Sequence, residues 1–122
     1  MLKRIIITTA LAICFNFGLS AAHAADLTGV WTGDSGGKYY IRQLNNEIWW
    51  YGEAQSDGPA WSNVAYGTIS DNKLELKWAD VPKGSIASSG ILNMDLKPDG
   101  KLVATKKTGD FGDSEWTRQA KE

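Results

Sequence analysis

Cysteine and histidine are almost missing from this chain of 122 residues. There is one of each, Cys14 and His23, and both stand near the N-terminus. Upstream of them, Met1-Leu2-Lys3-Arg4 is a short basic start, followed by a mostly apolar run from Ile5 to Leu19. Ala22-His23-Ala24 then supplies the small-x-small step of a signal-peptidase site. The apolar run is too short for a bilayer anchor and no stop-transfer pattern follows. Cys14 is preceded by Ile13 where lipid attachment needs a small residue, so no lipid anchor is expected. The expectation is a signal peptide over 1–24 and a single domain over 25–122, exported to the periplasm or secreted.

Cleavage there would remove Cys14 and His23 together. The mature chain would then have no disulfide, no cysteine nucleophile, no Ser-His-Asp triad and no ordinary zinc site. It would also take Lys3 and Arg4 from the 13 basic residues and leave the 14 acidic ones, a formal charge of −3. With no basic cluster, nucleic acid is excluded as a partner. No segment sustains apolar residues at spacings of three and four, so no helix is expected.

What the chain does have is tryptophan, six of them, and period-two runs separated by turn signals. Eight strands are predicted: Thr28–Gly33, Lys38–Leu44, Glu47–Glu53, Asn63–Ile69, Lys73–Ala79, Gly90–Lys97, Lys101–Lys106 and Ser114–Gln119. The fifth is the clearest, with Leu74, Leu76 and Trp78 alternating with Glu75 and Lys77. Asn45-Asn46, Ser70-Asp71-Asn72 and Lys97-Pro98-Asp99-Gly100 are tight turns. They alternate with longer connections at Asp34–Gly37, Ala54–Ser62, Asp80–Ser89 and Lys107–Asp113. An all-β, eight-stranded antiparallel up-and-down barrel follows, with short hairpins at one end and longer loops at the other.

Loops on a rigid scaffold are where binding groups usually sit. The mouth loops hold Asp34, Asp57, Trp61, Asp80, Lys83, Asp110, Phe111 and Asp113. Trp61, Asp34, Asp57, Asp80, Phe111 and Tyr66 are the candidate ligand-binding residues. Trp49-Trp50-Tyr51 lies on one strand, so its rings must alternate between faces. The outward member of the Trp49/Trp50 pair is a candidate partner surface. Trp31, Tyr39, Ile41, Tyr66, Leu74, Leu76 and Trp78 are expected to compete for the interior, which would leave the loops as the site.

Gly29-Val30-Trp31 on the first strand of an exported eight-stranded barrel resembles the calycin superfamily of lipocalins, fatty-acid-binding proteins and avidins. The resemblance implies that Trp31 packs across the closed end and that Arg118, near the C-terminus, covers its indole face. Leu27–Tyr39 is most similar to the opening of avidin-type barrels. Gly33 and Gly37 stand where avidins carry polar groups that clasp biotin, so that clasp is absent here.

Three chemistries suit the mouth. Trp61 with Asp57, Asn63 and Asp80 could stack and hydrogen-bond a sugar. The aspartates could converge on calcium, but no contiguous loop motif is present, and no metal or cofactor is expected. A glycosidase-like carboxylate pair is a remote third. Gly33-Asp34-Ser35-Gly36-Gly37 is no phosphate loop and reads as a flexible hairpin. The predicted strands are too short for an outer-membrane barrel. The leading functional expectation is therefore a barrel that binds a small molecule or glycan at its open end. The alternative is a protein-binding module such as a hydrolase inhibitor, and a carboxylate-based hydrolase comes last. The mature chain is expected as a monomer or small homo-oligomer, not integral to a membrane.

Overall fold

The computed structural model describes residues 26–55 and 60–120. The expected signal segment and Asp57 lie outside the described residues. Eight strands follow one another: β1 (Gly29–Gly33), β2 (Lys38–Leu44), β3 (Glu47–Glu53), β4 (Ser62–Ser70), β5 (Lys73–Asp80), β6 (Ser89–Leu96), β7 (Leu102–Lys107) and β8 (Glu115–Arg118). Each pairs antiparallel with its successor, and β8 returns to β1 to close the barrel. There is no helix among the described residues.

The hairpin end is set by residues that accept a left-handed backbone. Asn45 (φ 55°), Asp71 (φ 50°), Asn72 (φ 62°) and Gly100 (φ 89°) carry its three turns. Register follows from alternation. On β5, Leu74, Leu76 and Trp78 are buried while Lys73, Glu75 and Lys77 are exposed. A slip of one residue would exchange the two sets, so burial fixes the pairing.

The interior is solid. Rows of large and small residues interlock around the wall: Trp50 of β3, Ala65 of β4 and Trp78 of β5 are directly opposite one another in register. Gly67 sits likewise between Ile48 and Leu76. β4 thus offers small residues where its neighbours offer indoles and branched chains, which is how the lumen reaches close packing.

This corrects the expectation for Tyr66. Tyr66 is expected among the interior rings, but the inner face of β4 is Asn63, Ala65, Gly67 and Ile69. Tyr66 is exposed on the outer wall, with its hydroxyl 3.1 Å from Glu47. No room remains beside Trp50 and Trp78 for another ring.

At the hairpin end, Trp31 is buried and donates its indole N–H to Leu27 O at 2.9 Å. Arg118 faces it directly across the β1–β8 ladder, its guanidinium 5.2 Å from the ring centre. The same guanidinium donates to Thr28 O at 2.7 Å and to Asp26 O. One cation therefore lies against an indole face and takes up two carbonyls of the segment just before β1.

Candidate functional site

The loop end begins with the turn after β1. Gly33 N donates to Gly37 O at 2.8 Å and Gly36 N to Gly33 O at 3.0 Å. The Asp34 carboxylate accepts from Ser114 N at 2.9 Å and Glu115 N at 3.4 Å. Those backbone N–H groups, Ser114 foremost, hold its carboxyl below the usual carboxylate value. The expected flexible hairpin is instead tied to the start of β8, and Asp34 acts as that tie. Asp34 does not line the cleft.

Opposite this turn, the β7–β8 seam is short. Only Leu102↔Trp116 and Val103↔Glu115 face each other as ladder partners, and the chain then leaves the sheet. On its other side β7 pairs with β6 from Leu102 to Lys107, with a register shift between Asn93 and Met94 that leaves Thr105 without a ladder partner. Residues 108–114 fold back over the barrel, held by the Lys107 ammonium, which donates to Ser114 Oγ (2.6 Å) and Phe111 O (3.1 Å).

The fold-back delivers two side chains to the mouth. Phe111 is a stopper: its ring centre is 4.9 Å from that of Trp78 and 5.9 Å from those of Trp50 and Trp116. Asp113 follows it down and is 1% exposed. Its carboxyl accepts from Ser35 N at 2.6 Å, from Ser35 Oγ, and from Tyr39 OH at 2.5 Å. Burial, reinforced by that acidic neighbour, pushes the Tyr39 phenol far above its ordinary value, so Tyr39 remains a donor.

Gly33 and Gly37 explain how a carboxyl fits there. A Cβ on Gly33 would stand 2.2 Å from Asp113 Cγ, and one on Gly37 would stand 2.7 Å from both Asp113 Oδ2 and Trp61 Cη2. The space that Gly33 and Gly37 leave is therefore taken by Asp113, a carboxyl arriving from the other end of the sequence.

Above this layer lies a cleft of about 180 Å³. Tyr39, Trp61, Trp78 and Phe111 wall it, and Ser35, Asn63, Asp80, Ile86, Asp110, Gly112 and Asp113 complete the lining. Tyr39 is 5.9 Å from Trp61 and 6.3 Å from Phe111, ring centre to ring centre. Asn63 is 3% exposed; its amide oxygen accepts from Trp50 Nε1 at 2.9 Å, which turns its amide nitrogen to the cleft. Asp80 accepts Ser88 N on one oxygen at 2.8 Å and keeps the other free among the described residues.

Of the expected ligand residues, Trp61, Asp80 and Phe111 are thus brought together. Asp34 stands beside the cleft, Tyr66 lies on the outer wall, and Lys83 is turned away to Glu53 at 2.7 Å. Asn63 is expected as a sugar-binding group of the mouth and Asp113 as a mouth-loop residue, and both line the cleft; Tyr39 and Trp78 are expected as interior residues and not as cleft lining. The nearest signal was the glycine pair before Tyr39, which marks a close approach without saying by what.

A second surface lies outside. Trp50 is buried and Trp49 is 47% exposed. Trp49 rests on Tyr66 with ring centres 4.4 Å apart, and Tyr40 stacks on Tyr51 at 6.2 Å. Val64, also exposed, completes an apolar band across β2, β3 and β4. Among the described residues no group of three or more His, Cys, Asp or Glu is placed to hold a metal ion, and no helix is long and apolar enough to cross a membrane. No family model, curated protein or solved structure matches the chain.

Proposed function

We propose that this is an exported, calycin-like barrel that binds a small molecule or a single glycan unit at its looped end. The observation that carries the reading is the cleft itself. The lumen below is filled, yet the loops leave an aromatic-walled space above it. Buried polar groups converge on that space, as in small-molecule sites generally. The closed antiparallel barrel, with Trp31 under Arg118 at the opposite end, supports the calycin assignment. Among the described residues the interior below the mouth is packed with buried side chains, which does not suit a long apolar ligand of the lipocalin kind.

The test is a ligand screen followed by tryptophan fluorescence, since Trp61 and Trp78 both border the cleft. A ligand from sugar, vitamin or polar metabolite panels should shift emission, and Trp61→Ala should weaken it by about tenfold, the value of one good aromatic face. Silence across all panels, with Trp61→Ala equally silent, would remove the basis of the proposal.

The outer band of Tyr40, Trp49, Tyr51, Val64 and Tyr66 favours a second reading, a protein-binding module such as a hydrolase inhibitor. A pull-down from culture supernatant should then recover a partner that Trp49→Ala loses and Trp61→Ala keeps. Equal recovery by both variants would count against it.

A further inference from the structure

We propose that the mouth cleft takes a small organic ammonium ion, an inference that rests on the small-molecule reading above. The first ground is how its hydrogen-bond donors are spent. Tyr39 OH and Ser35 Oγ both donate to Asp113, Trp50 Nε1 donates to Asn63, and Trp78 Nε1 donates to Thr108 O at 3.1 Å. What the lining side chains leave for a ligand is therefore mostly acceptor: the free oxygen of Asp80 and the carboxyl of Asp110, which makes no hydrogen bond among the described residues. Among those side chains the Asn63 amide nitrogen is the exception, a donor on a residue 3% exposed that borders the same space.

The second ground is charge. Asp80, Asp110 and Asp113 line the cleft, and among the described residues no basic side chain does. The two nearby lysines are occupied elsewhere, Lys83 on Glu53 and Lys107 on backbone carbonyls and Ser114. The third is the walls. Tyr39, Trp61, Trp78 and Phe111 make the lining aromatic, the kind of surface that attracts a cation, and rings that exclude water strengthen the field of nearby carboxyls. A neutral polyol could stack on the same rings but would meet few donors for its acceptor oxygens. An ammonium group is matched by rings and carboxyls alike, with one acceptor on its tail for Asn63.

Alkylammonium chemistry could come from a choline-like head or from an amino sugar, and matched probes separate them. Choline is compared with 3,3-dimethylbutan-1-ol, its neutral isostere, and glucosamine with glucose, by calorimetry and tryptophan fluorescence on the same protein. At least one cation should bind about tenfold or more tightly than its neutral partner. That advantage should shrink with rising ionic strength and vanish in the Asp80→Asn/Asp110→Asn protein. Both substitutions are isosteric, and asparagine tolerates the φ of 65° at position 110, so folding should survive. Equal or tighter binding of a neutral partner overturns the ammonium assignment; if Trp61→Ala abolishes that binding, the mouth itself still stands as a site. Binding of none of the four probes overturns the assignment as well, while the wider ligand screen decides the mouth separately.

Discussion

Gly33→Ala should cost about 3 kcal/mol of folding stability in a denaturant titration, far more than a glycine-to-alanine change in a strand ordinarily does. The three atoms nearest a Cβ at that position all belong to Asp113, the closest at 2.2 Å. The methyl would displace the carboxyl from Ser35 and Tyr39, leaving the Tyr39 hydroxyl buried without its acceptor. Gly33 has no unusual φ to lose, so the whole penalty should come from that one side chain. The decisive measurement is a double-mutant cycle. In an Asp113→Gly background, Gly33→Ala should cost less than about 1 kcal/mol, because the obstacle has gone. Additive costs would mean that the glycine is required for some other reason. Then the Asp113 seat would not be what shapes this end of the barrel.

The second large effect separates two adjacent tryptophans. Trp50→Ala should destabilise by about 3–5 kcal/mol, because it empties a packed interior and strands the Asn63 amide oxygen. Trp49→Ala should cost about 1 kcal/mol or less, the worth of its exposed contact with Tyr66. Thermal melts of the two variants decide it. Equal losses would mean that β3 does not hold the register in which Trp50 faces Ala65 and Tyr51 faces Val64.

Neighbouring residues of such opposite fate show how far alternation carries. The strand boundaries, the closed up-and-down order and the polarity of the barrel were legible in the sequence, because each follows from period-two pattern and turn chemistry. β5 declared its inner face outright. β4 did not, and Tyr66, expected in the interior, lies on the outer wall. The deciding fact is held by other strands: Trp50 and Trp78 flank the same inner row and leave room only for Ala65. A rule that reads one strand at a time has no access to that.

The candidate site was legible in location more than in membership. Loop lengths pointed to one end of the barrel, and Trp61, Asp80 and Phe111 do meet there. Asp113 was one of several aspartates of equal appearance, and its burial depends on Ser35, 78 positions earlier in the chain, and on the space left by Gly33 and Gly37. Asp34 and Asp113 exchanged roles for the same reason: one meets free backbone N–H groups at the start of β8, the other meets a vacancy.

The brevity of the β7–β8 ladder has a thermodynamic corollary. Phe111 and Asp113, which close the lumen and border the cleft, hang from the stretch of wall with the fewest paired backbone groups, where the free energy of local opening should be smallest. On the proposed function, a ligand of the cleft would bind only when that segment is folded down, so its affinity would include the segment's own equilibrium. Any substitution that loosens the seam would weaken binding from a distance by reducing the fraction of molecules ready to receive a ligand, with every side chain of the cleft unchanged.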